Sequence, residues 1–124
     1  MMHYLVVFVG GGIGAALRHG VNRLAMSWFG TGFPAGTMAV NVVGSLLMGL
    51  LISVLAEGPP ASQGIRLFLA TGVLGGFTTF SAFSLDALTL WERGQPEVAA
   101  AYVLGSVLLS LMAIAAGFFA GRLL

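Results

Sequence analysis

Charge is so sparse along this chain that the positions of the charged residues dictate its architecture. Lys+Arg number 5 and Asp+Glu 4 in 124 residues, which is 7% charged, where a soluble domain carries about 25%. The nine are Arg18, Arg23, Glu57, Arg66, Asp86, Glu92, Arg93, Glu97 and Arg122, with no lysine among them. Between them lie charge-free runs at 1–17, 24–56, 67–85 and 98–121. A membrane-spanning helix needs roughly 20 mostly apolar residues, and 58% of this chain is hydrophobic. A water-exposed surface is excluded, and the length fits one domain.

The run 24–56 is too long for one span, and Gly30-Thr31-Gly32-Phe33-Pro34 inside it reads as a turn. The spacing therefore predicts an all-α integral membrane protein, a single transmembrane domain over 1–124, with helices at about 3–24, 36–56, 65–91 and 97–122. Gly58-Pro59-Pro60 ends the second helix and Gly94-Gln95-Pro96 separates the third from the fourth. Trp28, Phe29 and Trp91 fall beside predicted helix ends, where aromatic rings favour the membrane–water interface. Segment 25–33 is expected to lie flat in that interface. The N-terminal apolar stretch has no basic leader and no cleavage site before Arg18, so it reads as a retained first helix.

Orientation is not fixed by charge. Four spans place Arg66 and Arg122 on one side and Arg18, Arg23 and Arg93 on the other, which barely satisfies the positive-inside rule. Both a weakly biased single orientation and a dual topology, with copies inserted both ways and paired antiparallel, fit this count. Small residues recur four apart at Gly10 and Gly14, Ala16 and Gly20, Gly72 and Gly76, and Gly117 and Gly121. Such pairs let helix backbones approach closely in lipid. Packing within one chain accounts for most of them, and some are left to serve a homodimer.

Other classes drop out. A net charge of +1 offers no field for nucleic acid. With no cysteine and with His3 and His19 isolated, thiolate chemistry and a clustered metal site are absent from the pattern. Gly10-Gly11-Gly12-Ile13-Gly14 lies inside an apolar helix without the strand that a nucleotide loop requires. No nucleophile–base pair or carboxylate pair falls in a plausible pocket, so the chain does not read as an enzyme.

What remains is a set of polar residues in lipid, where an unsatisfied group costs on the order of several kcal/mol. Asn41 interrupts the apolar stretch Met38–Gly44; an interhelical hydrogen bond worth about 1 kcal/mol and a place in a pore account for it equally well. Helix three carries Gly75-Gly76 beside Thr78-Thr79. Each glycine costs about 1 kcal/mol in a helix interior, and the cluster predicts a helix broken near mid-membrane rather than a packing face with hydroxyls bonded to the preceding turn. Such breaks occur only where the freed backbone is buried or lines a cavity. Phe80 and Phe83 share one face; packing and lipid exposure are the ordinary explanation, while their positive ring edges also suit a small anion. Tyr102, Ser106 and Ser110, spaced by four, draw one hydroxyl stripe along helix four. Donors without carboxylates suit an anion better than a cation. Arg18, near the predicted end of helix one, fits either an anion-attracting vestibule or snorkelling to the interface. Asp86, one turn beyond the helix-three cluster, is expected near an aqueous mouth.

These blocks, Gly11-Gly12-Ile13-Gly14-Ala15 with Arg18, Gly36-Thr37 with Val40-Asn41 and Gly44, and Gly75-Gly76-Phe77-Thr78-Thr79-Phe80-Ser81-Ala82-Phe83-Ser84, resemble the Fluc (CrcB) family of fluoride channels over essentially the whole chain. The resemblance implies a passive, fluoride-selective channel of the cell inner (plasma) membrane. It would act as an antiparallel, dual-topology homodimer with two pores, exporting fluoride and protecting the cell from it. By position it implies that Asn41, Phe80 and Phe83 line the fluoride path. Tyr102, Ser106 and Ser110 would form its hydroxyl track, with Thr37 nearby. The backbone carbonyls of Gly75 and Thr78, doubled by the dimer, would hold a structural sodium ion (Na+). Ala82 departs from the threonine expected there. The implied partners are fluoride, membrane lipid and a second copy of the chain, with no nucleic acid and no other protein. The competing class is a small proton-coupled multidrug or cation exporter of the four-helix dimer type. It needs a mid-membrane carboxylate, and all four acids here lie near predicted helix ends.

Overall fold

In the computed structural model, which describes residues 1–57, 60 and 62–124, the described chain is helical. Helix α1 spans Met2–Phe29, α2 Ala35–Glu57, and α6 Pro96–Arg122. The third span, Gln63–Glu92, is assembled from pieces: α3 (Gln63–Arg66), a π-helical stretch over Leu67–Leu74, α4 (Gly75–Phe77) and α5 (Phe80–Glu92). Four stretches are thus long and apolar enough to cross a membrane. Large apolar side chains such as Leu104, Leu108, Leu111 and Met112 on α6 point outward, as lipid-facing positions do.

Local chemistry sets the ends. Gly30, at a φ of 76° that favours glycine, terminates α1 and donates its N–H to the Met26 carbonyl. Segment 25–29 therefore continues α1 instead of lying in the interface, because Leu24-Ala25-Met26 contains nothing that breaks a helix before that glycine. Arg18 consequently sits well inside α1 and not near its end. Ser62 caps α3 by accepting the Ile65 N–H at 3.1 Å. Gly94, φ 77°, turns the chain after α5, and Pro96 opens α6 at its first position. The expected stop at Gly58-Pro59 lies outside the described residues.

Two seams hold the bundle together. In one, α2 packs along α6, the most extensive pairing in the chain. A Cβ on Gly49 would meet the Ile114 carbonyl, one on Gly117 the Leu46 carbonyl, and one on Gly121 the Ser53 side chain. In the other, α1 lies against the first half of the third span: a Cβ on Gly10 would come within 2.7 Å of the Phe68 carbonyl oxygen and 3.0 Å of the Gly72 Cα, and one on Gly14 would strike Val73 and Phe77. Close backbone approach through small residues is the packing mode of helices in lipid. Six of the eight small residues named above are thus used within the chain; a Cβ on Gly20 would meet open space and Ala16 is exposed.

Candidate functional site

The third span leaves helical geometry at Thr78 (φ −85°, ψ 158°) and Thr79 (φ −154°, ψ 119°). Backbone groups released there call for partners, and the neighbouring helices supply some of them. From α2, the Asn41 amide clamps Thr79 twice. Its Nδ2 donates to the Thr79 carbonyl at 3.0 Å, and its Oδ1 accepts the Thr79 N–H at 2.8 Å. From α1, Arg18 Nε donates to the Gly76 carbonyl at 3.1 Å. Thr78 Oγ1 bonds back to the Leu74 carbonyl, and Thr79 Oγ1 caps α5 by accepting the Ala82 N–H at 3.2 Å. Gly14 and Gly44 make room for this knot: a Cβ on the first would strike the Val73 carbonyl, and one on the second the Thr78 methyl.

The same bonds determine which carbonyls stay free. In an unbroken helix the Gly75 carbonyl accepts from the N–H of residue 79, and the Thr78 carbonyl from that of residue 82. Here those donors serve Asn41 Oδ1 and Thr79 Oγ1. Gly75 is exposed, so hard oxygen donors of the kind that ligate an alkali or alkaline-earth cation are available at both positions. The donor chemistry fits the expected sodium.

Beside the break lies an open-sided groove of about 320 Å³. Asn41, Phe80, Phe83, Ser106 and Ser110 all line it, together with Ser45, Thr78 and Thr79. Five of the expected pore residues, from three helices, therefore converge. None of the lining residues is ionisable. Phe80 and Phe83 stand with ring centroids 5.4 Å apart, yet Phe83 is buried and Phe80 is 77% exposed. A single chain covers only one of the two rings. Ser106 is buried, and its Oγ has no hydrogen-bond partner, so it does not bond back to its own helix. The first amides of α5 have no preceding turn to bond to and give this end of the groove a positive partial charge.

Tyr102 and Thr37 lie elsewhere. Tyr102 is fully buried, stacks on Phe83 with centroids 5.3 Å apart, and donates its hydroxyl to Asp86 Oδ2 at 3.1 Å. Thr37 and Asp86 line a second cavity, also about 320 Å³, with Asn22, Thr31, Ala82, Thr89 and Arg93. The hydroxyl stripe of α6 is thus divided: Ser106 and Ser110 face the groove, while Tyr102 stands between it and the second cavity. Ser45, one turn beyond Asn41 on the same face of α2, was open to detection by the spacing that picked out the stripe. Arg93, at the second cavity, carried no such signal.

A bundle of four membrane-capable helices, with an uncharged polar groove beside the break in one span, defines a multi-pass helical membrane protein. The sequence profile of the family described as "CrcB-like protein, Camphor Resistance (CrcB)" matches residues 5–118, and the chain belongs to that family. It is 55% identical over 116 residues, 94% of each chain, to fluoride-specific ion channel FluC 2 of Nitrobacter hamburgensis. It is 57% identical over 116 residues, 94% of this chain and 93% of the other, to fluoride-specific ion channel FluC of Methylobacterium nodulans. With the channel of the same name from Paracoccus denitrificans the identity is 55% over 119 residues, 96% of this chain and 94% of the other.

Proposed function

We propose that the chain is a passive, fluoride-selective ion channel, and not an enzyme, whose ion path follows the groove lined by Asn41, Phe80, Phe83, Ser106 and Ser110. The observation that carries this is a groove rich in hydrogen-bond donors and free of fixed charge, in a chain whose relatives are named fluoride-specific ion channels. Fluoride is small and strongly hydrated, so a pore must replace its water with dense donors yet release the ion again. Neutral hydroxyls and amides do both. Tyr102 and Thr37 connect the groove with the second cavity, which takes the vestibule role. The competing exporter requires a carboxylate in its binding site, and the groove has none; Asp86 is engaged by Tyr102.

The working unit is an antiparallel homodimer with two pores. Exposed Phe80 calls for cover from a second chain. With Arg18 bonded inside the bundle, the loop and helix-end arginines reduce to Arg23 and Arg93 on one side and Arg66 and Arg122 on the other, a balance that favours dual topology. The free carbonyls of Gly75 and Thr78, contributed by both copies, would coordinate a structural sodium ion at the dimer interface through their oxygen lone pairs. The protein resides in the cell inner membrane and lets accumulated fluoride leave down its gradient. The test is anion efflux from proteoliposomes with a potassium–valinomycin shunt. Rapid, valinomycin-dependent fluoride loss with chloride retained is expected. Retention of fluoride by folded, reconstituted protein contradicts the proposal.

A further inference from the structure

We infer that Arg18 is a positioning residue for the pore: its guanidinium holds the Gly76 carbonyl and thereby dictates which carbonyls of the broken span face outward. An arginine within a membrane helix is expensive unless it is paired or functional. Among the described residues, the bond made by its side chain is the one from Nε to the Gly76 carbonyl, across 58 positions of sequence at 3.1 Å. Gly76 lies in the close seam with α1, where a Cβ would meet the Gly11 backbone. The carbonyls released by the break at Thr78–Thr79 therefore have unequal fates. Gly76 is captured from α1, while Gly75 and Thr78 lose their helical donors to Asn41 and Thr79. Asn41 grips Thr79, the second residue of the break, from α2, and Arg18 holds Gly76, two residues ahead of the break, from α1. Neither grip is replaceable by the other, since they close on opposite sides of Thr78.

The inference concerns backbone order, and only its consequence for sodium rests on the proposed function. Amide hydrogen exchange in reconstituted full-length protein reads it directly, in wild type, Arg18→Gln, Arg18→Ala and Arg18→Lys. Exchange in peptides covering 74–82 is expected to rise tenfold or more in Arg18→Gln and Arg18→Ala, with less than twofold change in α6. Arg18→Lys, which keeps the charge but lacks Nε, is expected to fall between them and wild type. Unchanged exchange at 74–82, an equal rise in every span, or full protection in Arg18→Lys would each overturn the inference. Should Arg18→Ala fail to fold, the lysine and glutamine variants still decide. Thermal unfolding in sodium against N-methylglucamine judges the consequence separately. Wild type is expected to unfold at a higher temperature in sodium and Arg18→Gln to lose that difference. A wild type indifferent to sodium sinks the sodium reading alone, while the exchange data still decide the role of Arg18.

Discussion

Asn41 on α2 and Ser106 on α6 line the same groove, but they are in opposite states. Both ends of the Asn41 amide are engaged by the Thr79 backbone, so this side chain serves first as a piece of peptide that replaces the missing helical turn, with one N–H of its NH2 group left for the groove. Ser106 Oγ is buried without a partner. A polar atom left unpaired in a protein interior costs about 1–3 kcal/mol, and an apolar residue of the same size would avoid that cost. The contrast teaches that polar residues lining one groove divide between those that build its shape and those left unpaired, which the proposed channel would offer to its ion. Position in the groove does not separate them; hydrogen-bond accounting does.

The strongest way to break this division is Asn41→Ala. It strands the Thr79 N–H and carbonyl together, at about 1–3 kcal/mol each. Fluoride efflux is expected to fall to the protein-free background, with a clear drop in Tm measured on the same preparation. Gly14→Ala comes next. The new Cβ meets backbone atoms of Val73 and Phe77 that have no rotamer to yield, at about 1–3 kcal/mol of overpacking. Thermal unfolding should show that loss, whereas Gly20→Ala, with open space around it, should unfold like wild type as a single chain in detergent. The mildest is Tyr102→Phe. It keeps the stack on Phe83 and removes only the bond to Asp86, worth about 1 kcal/mol. About a twofold change in efflux at nearly unchanged Tm is expected, and abolition would move Tyr102 into the ion's path.

Much of this was legible in the residues. Charge-free runs gave the four spans, since lipid admits charge only at a high cost. The glycine–threonine cluster gave the position of the interruption, because those residue types weaken a helix wherever they occur. The i, i+4 stripe brought out Ser106 and Ser110. Three things were out of reach. The π-helical stretch Leu67–Leu74 has an apolar sequence with no local signal for wide turns, and it packs against α1 from far along the chain. That Arg18 turns inward to Gly76 depends on contact between distant segments, so its position along the chain pointed instead to a vestibule or to snorkelling at the interface. Tyr102 shares the spacing of the two serines, yet Asp86 on α5 draws its hydroxyl away from them. Periodicity assigns a face; it does not say which neighbour claims an atom.

The measurement that tests the central claim most directly is Ser106→Ala, followed by fluoride efflux and thermal unfolding on one preparation. Because no protein bond is lost, Tm should hold or rise slightly, while efflux falls several-fold as the ion loses a donor. Wild-type efflux from this variant, or a fall in efflux matched by a fall in Tm, would contradict the claim that the groove's unpaired hydroxyl serves the ion.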